Sequence, residues 1–232
     1  MGQDSLPSAQ RRSFLTRMNT GLASMAAMAG VAMAQEQAAA SPRWEPERHD
    51  KDEWLDKNRA KHRVVFDTIV SEGLGNAIFF VNNFFHTNRT DYGVPGDDLA
   101  VVIVMRHNTA PFGLNDAMWA KYGEQLSARA EQQDPKTKQA AKVNIYNTTA
   151  YRALLTNRGV TIDAVAKLGA QFAVCQLSTR AVASEIAKAT GGKTDEVFAE
   201  ISANLITNGR LVPAGVVTVT RAQERGYSLV SI

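Results

Sequence analysis

Cysteine is nearly absent from this sequence, since Cys175 is the only one among 232 residues. One cysteine forms no disulfide within its own chain, so the thiol is either buried or used. The sequence also lacks the dinucleotide fingerprint, the lysine of a phosphate-binding loop, a Ser-His-Asp order and any paired-carboxylate spacing. These absences leave Cys175 as the first candidate for chemistry.

Paired metal ligands and strong positive charge are also lacking. The histidines show no paired spacing: His49, His62, His86 and His107. A metal site made from Cys175 and His107 alone would have too few ligands, so we predict neither a metal nor a cofactor. Of the net charge of +3, residues 1–34 contribute three arginines and one aspartate, which leaves +1 for the rest. Nucleic-acid binding is therefore not expected.

The first 34 residues contain the most specific local motif. Arg11 and Arg12, followed by Phe14 and Leu15, match the twin-arginine export pattern. A weakly apolar run rich in Ala, Gly and Met follows, and small residues end it at Ala34. We predict cleavage after Ala34, a periplasmic location and no stable membrane span after cleavage. The alternative is an uncleaved membrane anchor, for which the run is short and diluted by glycine and serine.

Three segments are predicted on this basis: a signal peptide at 1–34, a linker and N-terminal arm at 35–60, and one domain at 61–232. The arm is charged, and Trp54 and Leu55 are its only large apolar residues after Arg48. Trp54 is expected to pack on the neighbouring domain. The other interpretation is that Trp44 and Trp54 dock a partner.

Five strands alternate with helical patterns in the domain, which predicts a parallel sheet with helices on both faces. The predicted strands are Arg63–Asp67, Leu99–Met105, Gln171–Val174, Val216–Val219 and Tyr227–Ile232. Gly73 and Gly75 are interpreted as a plain turn before a helix over Asn76–Phe85, because no phosphate-loop lysine accompanies them.

Candidate site residues lie where two of these strands end. Arg106, His107 and Asn108 follow the second strand, and Cys175 ends the cysteine strand, so they should share the carboxyl edge of the sheet. A helix expected to begin at Ser178 or Thr179 would lower the pKa of Cys175 with its amino end, and Arg180 would add positive charge. Two alternatives stay open: Cys175 packs as a small apolar residue, and His107 only hydrogen-bonds a carbonyl.

Four segments together resemble the DsrE/DsrF family of sulfur-relay proteins, which includes the YchN-like proteins. They are KHRVVFD, LAVVIVMRH, GAQFAVC and the closing AQERGYSLV, and the resemblance covers Lys61 to Ile232. It implies a three-layer α/β/α sandwich with a mainly parallel five-stranded, flavodoxin-like sheet. It also implies a homo-oligomer, a trimer or hexamer, and a persulfide carrier at Cys175 that exchanges sulfur with donor and acceptor proteins.

The chain departs from the small cytoplasmic members of that family. It has the export motif, the arm, and a long segment between the second strand and the cysteine strand. The function expected is therefore an exported thiol-based sulfur carrier. The alternative is a non-catalytic module of the same fold that binds a small ligand or assembles with partners. A thiol that is accessible and has a basic neighbour would favour the carrier.

Overall fold

The computed structural model describes residues 45–56 and 60–232. The predicted signal peptide, with Arg11, Arg12, Phe14 and Leu15, lies outside the described residues. Residues from Pro46 to Ile232 belong to one unit. Within the described ranges, no helix is both long and apolar enough to cross a bilayer.

A five-stranded sheet forms the centre of the domain, and all its strand pairs are parallel. The strands are β1 (His62–Thr68), β2 (Leu99–Met105), β3 (Gln171–Cys175), β4 (Gly209–Val212) and β5 (Ser228–Ser231), in the order β4-β3-β2-β1-β5. All seven residues of β2 are buried, as expected of an apolar strand covered on both faces. The predicted three-layer α/β/α architecture is confirmed.

Six α-helices connect and cover the strands in the described part of the chain. They are α1 (Ser71–Thr90), α2 (Asp116–Ala130), α3 (Ile162–Lys167), α4 (Gln176–Thr190), α5 (Thr194–Ser202) and α6 (Gly215–Gln223). Asn115 caps α2 by accepting a hydrogen bond from the Met118 amide. A short 3-10 helix, His107–Gly113, connects β2 to α2 and carries two of the predicted site residues.

The two faces of the sheet are covered unequally. On one side, alternate strand residues such as Phe66, Ile103 and Phe172 pack in a large core with residues of α1 to α5. On the opposite side, which we call the α6 face, Val102 and Ala173 belong to a smaller core with α6 and the N-terminal arm. The α6 face therefore depends on one nine-residue helix and the arm for its cover.

The fourth strand was predicted wrongly. Val216 to Val219 lie in α6, and β4 precedes them at Gly209–Val212. The valines and threonines of this segment favour a strand by propensity. The buried positions of α6, however, recur with helical spacing: Gly215, Thr218, Val219 and Ala222. Packing against the sheet therefore overrides the local preference for a strand.

Two helices also begin earlier than predicted. Gly73 and Gly75 lie inside α1, which starts at Ser71, and not in a turn. A Cβ on Gly73 would lie 2.7 Å from the Ile232 carbonyl oxygen, and one on Gly75 would overlap the Thr156 hydroxyl. These glycines permit close packing of a helix. Helix α4 starts at Gln176, directly after the cysteine strand, and not at Ser178 or Thr179.

The N-terminal arm packs on the α6 face through the 3-10 helix Asp50–Leu55. Leu55 is fully buried, and its carbonyl accepts a hydrogen bond from the Tyr227 hydroxyl. Trp54 is half-buried against the same core. The contacts of the domain therefore extend back into the segment that was predicted as linker and arm.

Candidate functional site

The carboxyl edge of the sheet brings together the ends of β2 and β3, as the parallel arrangement predicts. Met105 pairs with Val174 across these strands, so Arg106 and Cys175 each stand one residue beyond that pair. Cys175 also pairs with Val212 of β4, and α6 begins three residues after Val212. Cys175 therefore lies next to the amino ends of both α4 and α6.

Four hydrogen-bond donors converge on the sulfur of Cys175. They are the Ser178 hydroxyl and the backbone N–H groups of Gly215, Ser178 and Leu177. Burial raises the pKa of Cys175 and is the largest single influence, but these four hydrogen bonds together outweigh it, so the pKa lies below its usual value. The surroundings thus favour the thiolate, which is the nucleophilic form of cysteine.

The Ser178 hydroxyl is fixed by the loop that follows β2. The His107 amide donates to Ser178 Oγ over 2.9 Å, which leaves the hydroxyl hydrogen free to point at the sulfur. His107 has a φ of 57°, in the left-handed region that is uncommon for residues other than glycine. The turn is held by Thr109, whose hydroxyl accepts from the Arg106 amide and donates to the Thr68 carbonyl. The His107 backbone thus positions the site, while its side chain is exposed.

Arg106 forms a bidentate ion pair with Asp67 at the end of β1. Its Nε donates to one carboxylate oxygen and an Nη donates to the other, each over 2.8 Å. The hydrogen bond that Arg106 donates to Asp67 is the largest influence on the pKa of Arg106 and raises it, and the negative charge of Cys175 raises it further. Arg106 is therefore a permanent positive charge close to the thiolate, held in place by Asp67.

The Cys175 side chain is almost completely buried in the single chain. Cys175 is 5% exposed. The residues around its donors are open to solvent, with Leu177 64% and Val216 59% exposed. The thiol therefore lies just below a surface that is rich in exposed apolar side chains.

The other two predicted residues have partners other than Cys175. Arg180 pairs with Asp195 over 3.0 Å and stacks on Phe198 of α5, with 4.1 Å between its guanidinium carbon and the ring centre. Its charge is thus directed at the neighbouring helix. Asn108 is buried, and its backbone N–H donates to the Ile69 carbonyl, which ties the loop after β2 to the end of β1.

Three residues of the site were not singled out from the sequence. Asp67 could have been predicted as a site residue, since it lies at the carboxyl end of β1, the strand next to the one that Arg106 follows. Ser178 lies three residues after Cys175, the spacing at which a residue in the first turn of a helix reaches back. Gly215 could not be recognised as a helix start, because the residues directly after it, Val216–Val219, were predicted as a strand.

Among residues 45–56 and 60–232, no group of three histidine, cysteine, aspartate or glutamate side chains converges as a metal site. The site around Cys175 offers hydrogen-bond donors and a guanidinium, which suit an anionic group.

No known family model matches the chain, and no curated protein matches it either. Among solved structures, it is similar to MTH1491 from Methanobacterium thermoautotrophicum, a protein of unknown function. The two chains share 12% identity at a TM-score of 0.36, and the match covers 74% of this chain and all of the other.

Proposed function

We propose that this protein is an exported thiol-based sulfur carrier, related to the DsrE/DsrF family, that holds sulfur as a persulfide on Cys175. The observation that carries the proposal is the set of four donors around the Cys175 sulfur, which lower its pKa despite burial. A cysteine that only fills space needs no such donors, because a thiol is a weak hydrogen-bonding group.

The transfer step follows from thiolate chemistry. The Cys175 thiolate attacks the outer sulfur of a donor persulfide, so a new S–S bond forms at Cys175. The donor's own S–S bond breaks, and its electron pair stays on the donor sulfur, which leaves as a thiolate. An acceptor thiolate then attacks the outer sulfur of the Cys175 persulfide in the same way. The four donors and Arg106 stabilise the negative charge whenever Cys175 is the free thiolate.

The test is to incubate the purified protein with a low-molecular-weight persulfide and to measure its intact mass. We expect a gain of about 32 Da, one sulfur atom, that is absent from Cys175→Ser. Cys175→Ser is the matched control, because serine has nearly the same shape and forms no persulfide. An unmodified wild-type protein, or an equal gain in the serine variant, would reject the carrier.

The alternative is a binding or interaction module of the same fold, and the 5% exposure of Cys175 favours it. The same experiment separates the two functions when it is repeated in urea. A thiol that gains sulfur only after unfolding is a packed residue, which would reject the carrier and leave the module as the proposed function.

We also propose export by the twin-arginine pathway to the periplasm and assembly as a trimer or hexamer. Support for export comes from Arg11 and Arg12 followed by Phe14 and Leu15. Replacing both arginines with lysine should leave the protein in the cytoplasmic fraction.

Sedimentation of the exported protein would measure the proposed assembly as a trimer or hexamer, and a monomer at all concentrations would contradict it.

A further inference from the structure

A cavity lies at the opposite edge of the sheet from Cys175. It sits on the α6 face at the amino ends of β2 and β3 and has a volume of about 640 Å³. Its floor contains Ala100 and Val102 of β2, and the aromatic rings of Trp54 and Tyr227 form part of its wall. Cavities that bind small molecules have this size and apolar lining, with a few polar groups that orient the ligand.

The orienting group in this cavity is Arg210. Its strand, β4, is at the edge of the sheet, and pairing with Ala173 places the side chain on the α6 face. Its guanidinium carbon lies 4.6 Å from the centre of the Trp54 ring. The Nε atom is buried and has no acceptor among the described residues, and no carboxylate there pairs with Arg210. A buried donor without an acceptor is costly, so this guanidinium is suited to an anion that enters the cavity.

The charges around the cavity limit the ligand further. Asp97 also lines it, and this carboxylate is exposed and separate from Arg210. Among the described residues that line the cavity, Arg210 and Asp97 are the charged ones, and one positive with one negative charge favours a ligand with a single negative charge over a polyanion. The aromatic wall and small apolar floor favour a flat ring system as the ligand's body.

We propose that this cavity binds a small planar aromatic carboxylate, with its rings beside Trp54 over the floor of Ala100 and Val102 and its carboxylate on Arg210. The site is independent of Cys175, and it would stand whether or not the chain carries sulfur.

The test is calorimetric titration of the full-length chain with 2-naphthoate and with its uncharged counterpart, 2-naphthylmethanol. We expect one saturable site for naphthoate and weaker binding of the alcohol. Arg210→Gln should weaken naphthoate binding about tenfold or more, because a charged hydrogen bond is lost. Asp97→Asn should tighten it by about two- to fivefold, because a repulsive charge is removed.

The matched control is Arg158→Gln, since Arg158 also stacks on an aromatic ring, that of Phe79, but lies outside the cavity. It should leave binding unchanged. Asp97→Asn keeps the test decisive if Arg210→Gln fails to fold, because Asp97 is exposed. The proposal is overturned by absent saturation, by equal binding of the alcohol, or by an Asp97→Asn variant that binds no more tightly. Binding that disappears as protein concentration rises would also overturn it, because a second copy would then be the occupant.

Discussion

Four donors around one sulfur make Cys175 an unusual cysteine at the scale of a single residue. Burial alone would keep the thiol protonated. Ser178 reverses this effect together with three backbone N–H groups, which the amino ends of α4 and α6 supply. The His107 amide in turn holds the Ser178 hydroxyl. The reactivity of the sulfur is thus set mainly by uncharged donors, with Arg106 as an additional positive charge nearby.

The lowered pKa of Cys175 predicts a pH dependence of stability. Between the folded pKa and the unfolded value of about 8.5, the unfolded chain binds a proton that the folded chain does not. The stabilising contribution is complete above the unfolded pKa and is lost as pH falls through the folded pKa. We therefore expect the unfolding free energy of wild type, minus that of Cys175→Ser, to rise with pH across this window.

Urea unfolding at a series of pH values from 6 to about 9 measures this difference. Ser178→Ala should narrow the pH range over which this difference rises, because losing the hydroxyl raises the folded pKa of Cys175. The rate of thiol alkylation against pH gives the same pKa independently. A difference that stays level, or falls as pH rises, would show that the donors do not act on a thiolate.

The ion pair of Asp67 and Arg106 gives a second prediction for single residues. Its side chains are 13% and 29% exposed, so Asp67→Asn leaves a partly buried guanidinium without its charged partner. We expect a loss of about 1–3 kcal/mol in the free energy of unfolding. Asp195→Asn is the control, because that carboxylate is 89% exposed beside Arg180 and should contribute nothing measurable. Equal effects in the two variants would contradict a structural role for Asp67.

At the scale of elements, the site depends on how closely α6 approaches β2. Gly215 begins α6, and a Cβ added there would lie 2.9 Å from the Cβ of Arg106 and 3.0 Å from Cγ1 of Val104. Both atoms are anchored close to the backbone, so the start of α6 must move instead. The N–H of Gly215 would then withdraw from the Cys175 sulfur.

Gly215→Ala should therefore raise the pKa of Cys175 and lower stability by about 1–3 kcal/mol, the usual cost of overpacking. Alkylation against pH measures the first effect and urea unfolding the second. Gly96→Ala is the matched control, because nothing lies within 4 Å of its added Cβ. An alanine variant with unchanged thiol reactivity would mean that α6 does not supply a working donor.

The elements also show how much the sequence can predict. The unbroken apolar run of β2 and the short cysteine strand were found because buried parallel strands have a distinctive composition. The shared edge of Arg106 and Cys175 followed from that assignment. Helix α6 was missed because Val216, Val217 and Val219 resemble a strand locally, and its buried spacing is visible only against the sheet. Helix α1 was predicted too short because Gly73 and Gly75 are typical of a turn, and the sequence does not show the atoms that pack closely against them.

At the scale of the whole molecule, the two faces of the sheet differ in what covers them. Helices α1 to α5 contribute to the large core on one face, and the smaller core of the other face depends on α6 and the arm. The arm is held by Leu55, by the Tyr227 hydrogen bond and by Asp56, which accepts from Arg225 Nε over 2.8 Å. Leu55 and Trp54 of the arm thus contribute to the smaller core, and the expected packing of Trp54 on the domain is confirmed.

Removing one side chain from the arm should therefore destabilise the entire domain. Leu55 is fully buried, so Leu55→Ala should lower the free energy of unfolding by about 2–4 kcal/mol, through lost burial and the cavity that remains. Leu154→Ala, at a leucine that is 54% exposed, should change it by less than about 0.5 kcal/mol. Urea unfolding monitored by far-UV circular dichroism measures both variants in one cooperative transition. If Leu55→Ala has as little effect as Leu154→Ala, the arm is a detachable segment, and the α6 face must be covered in another way.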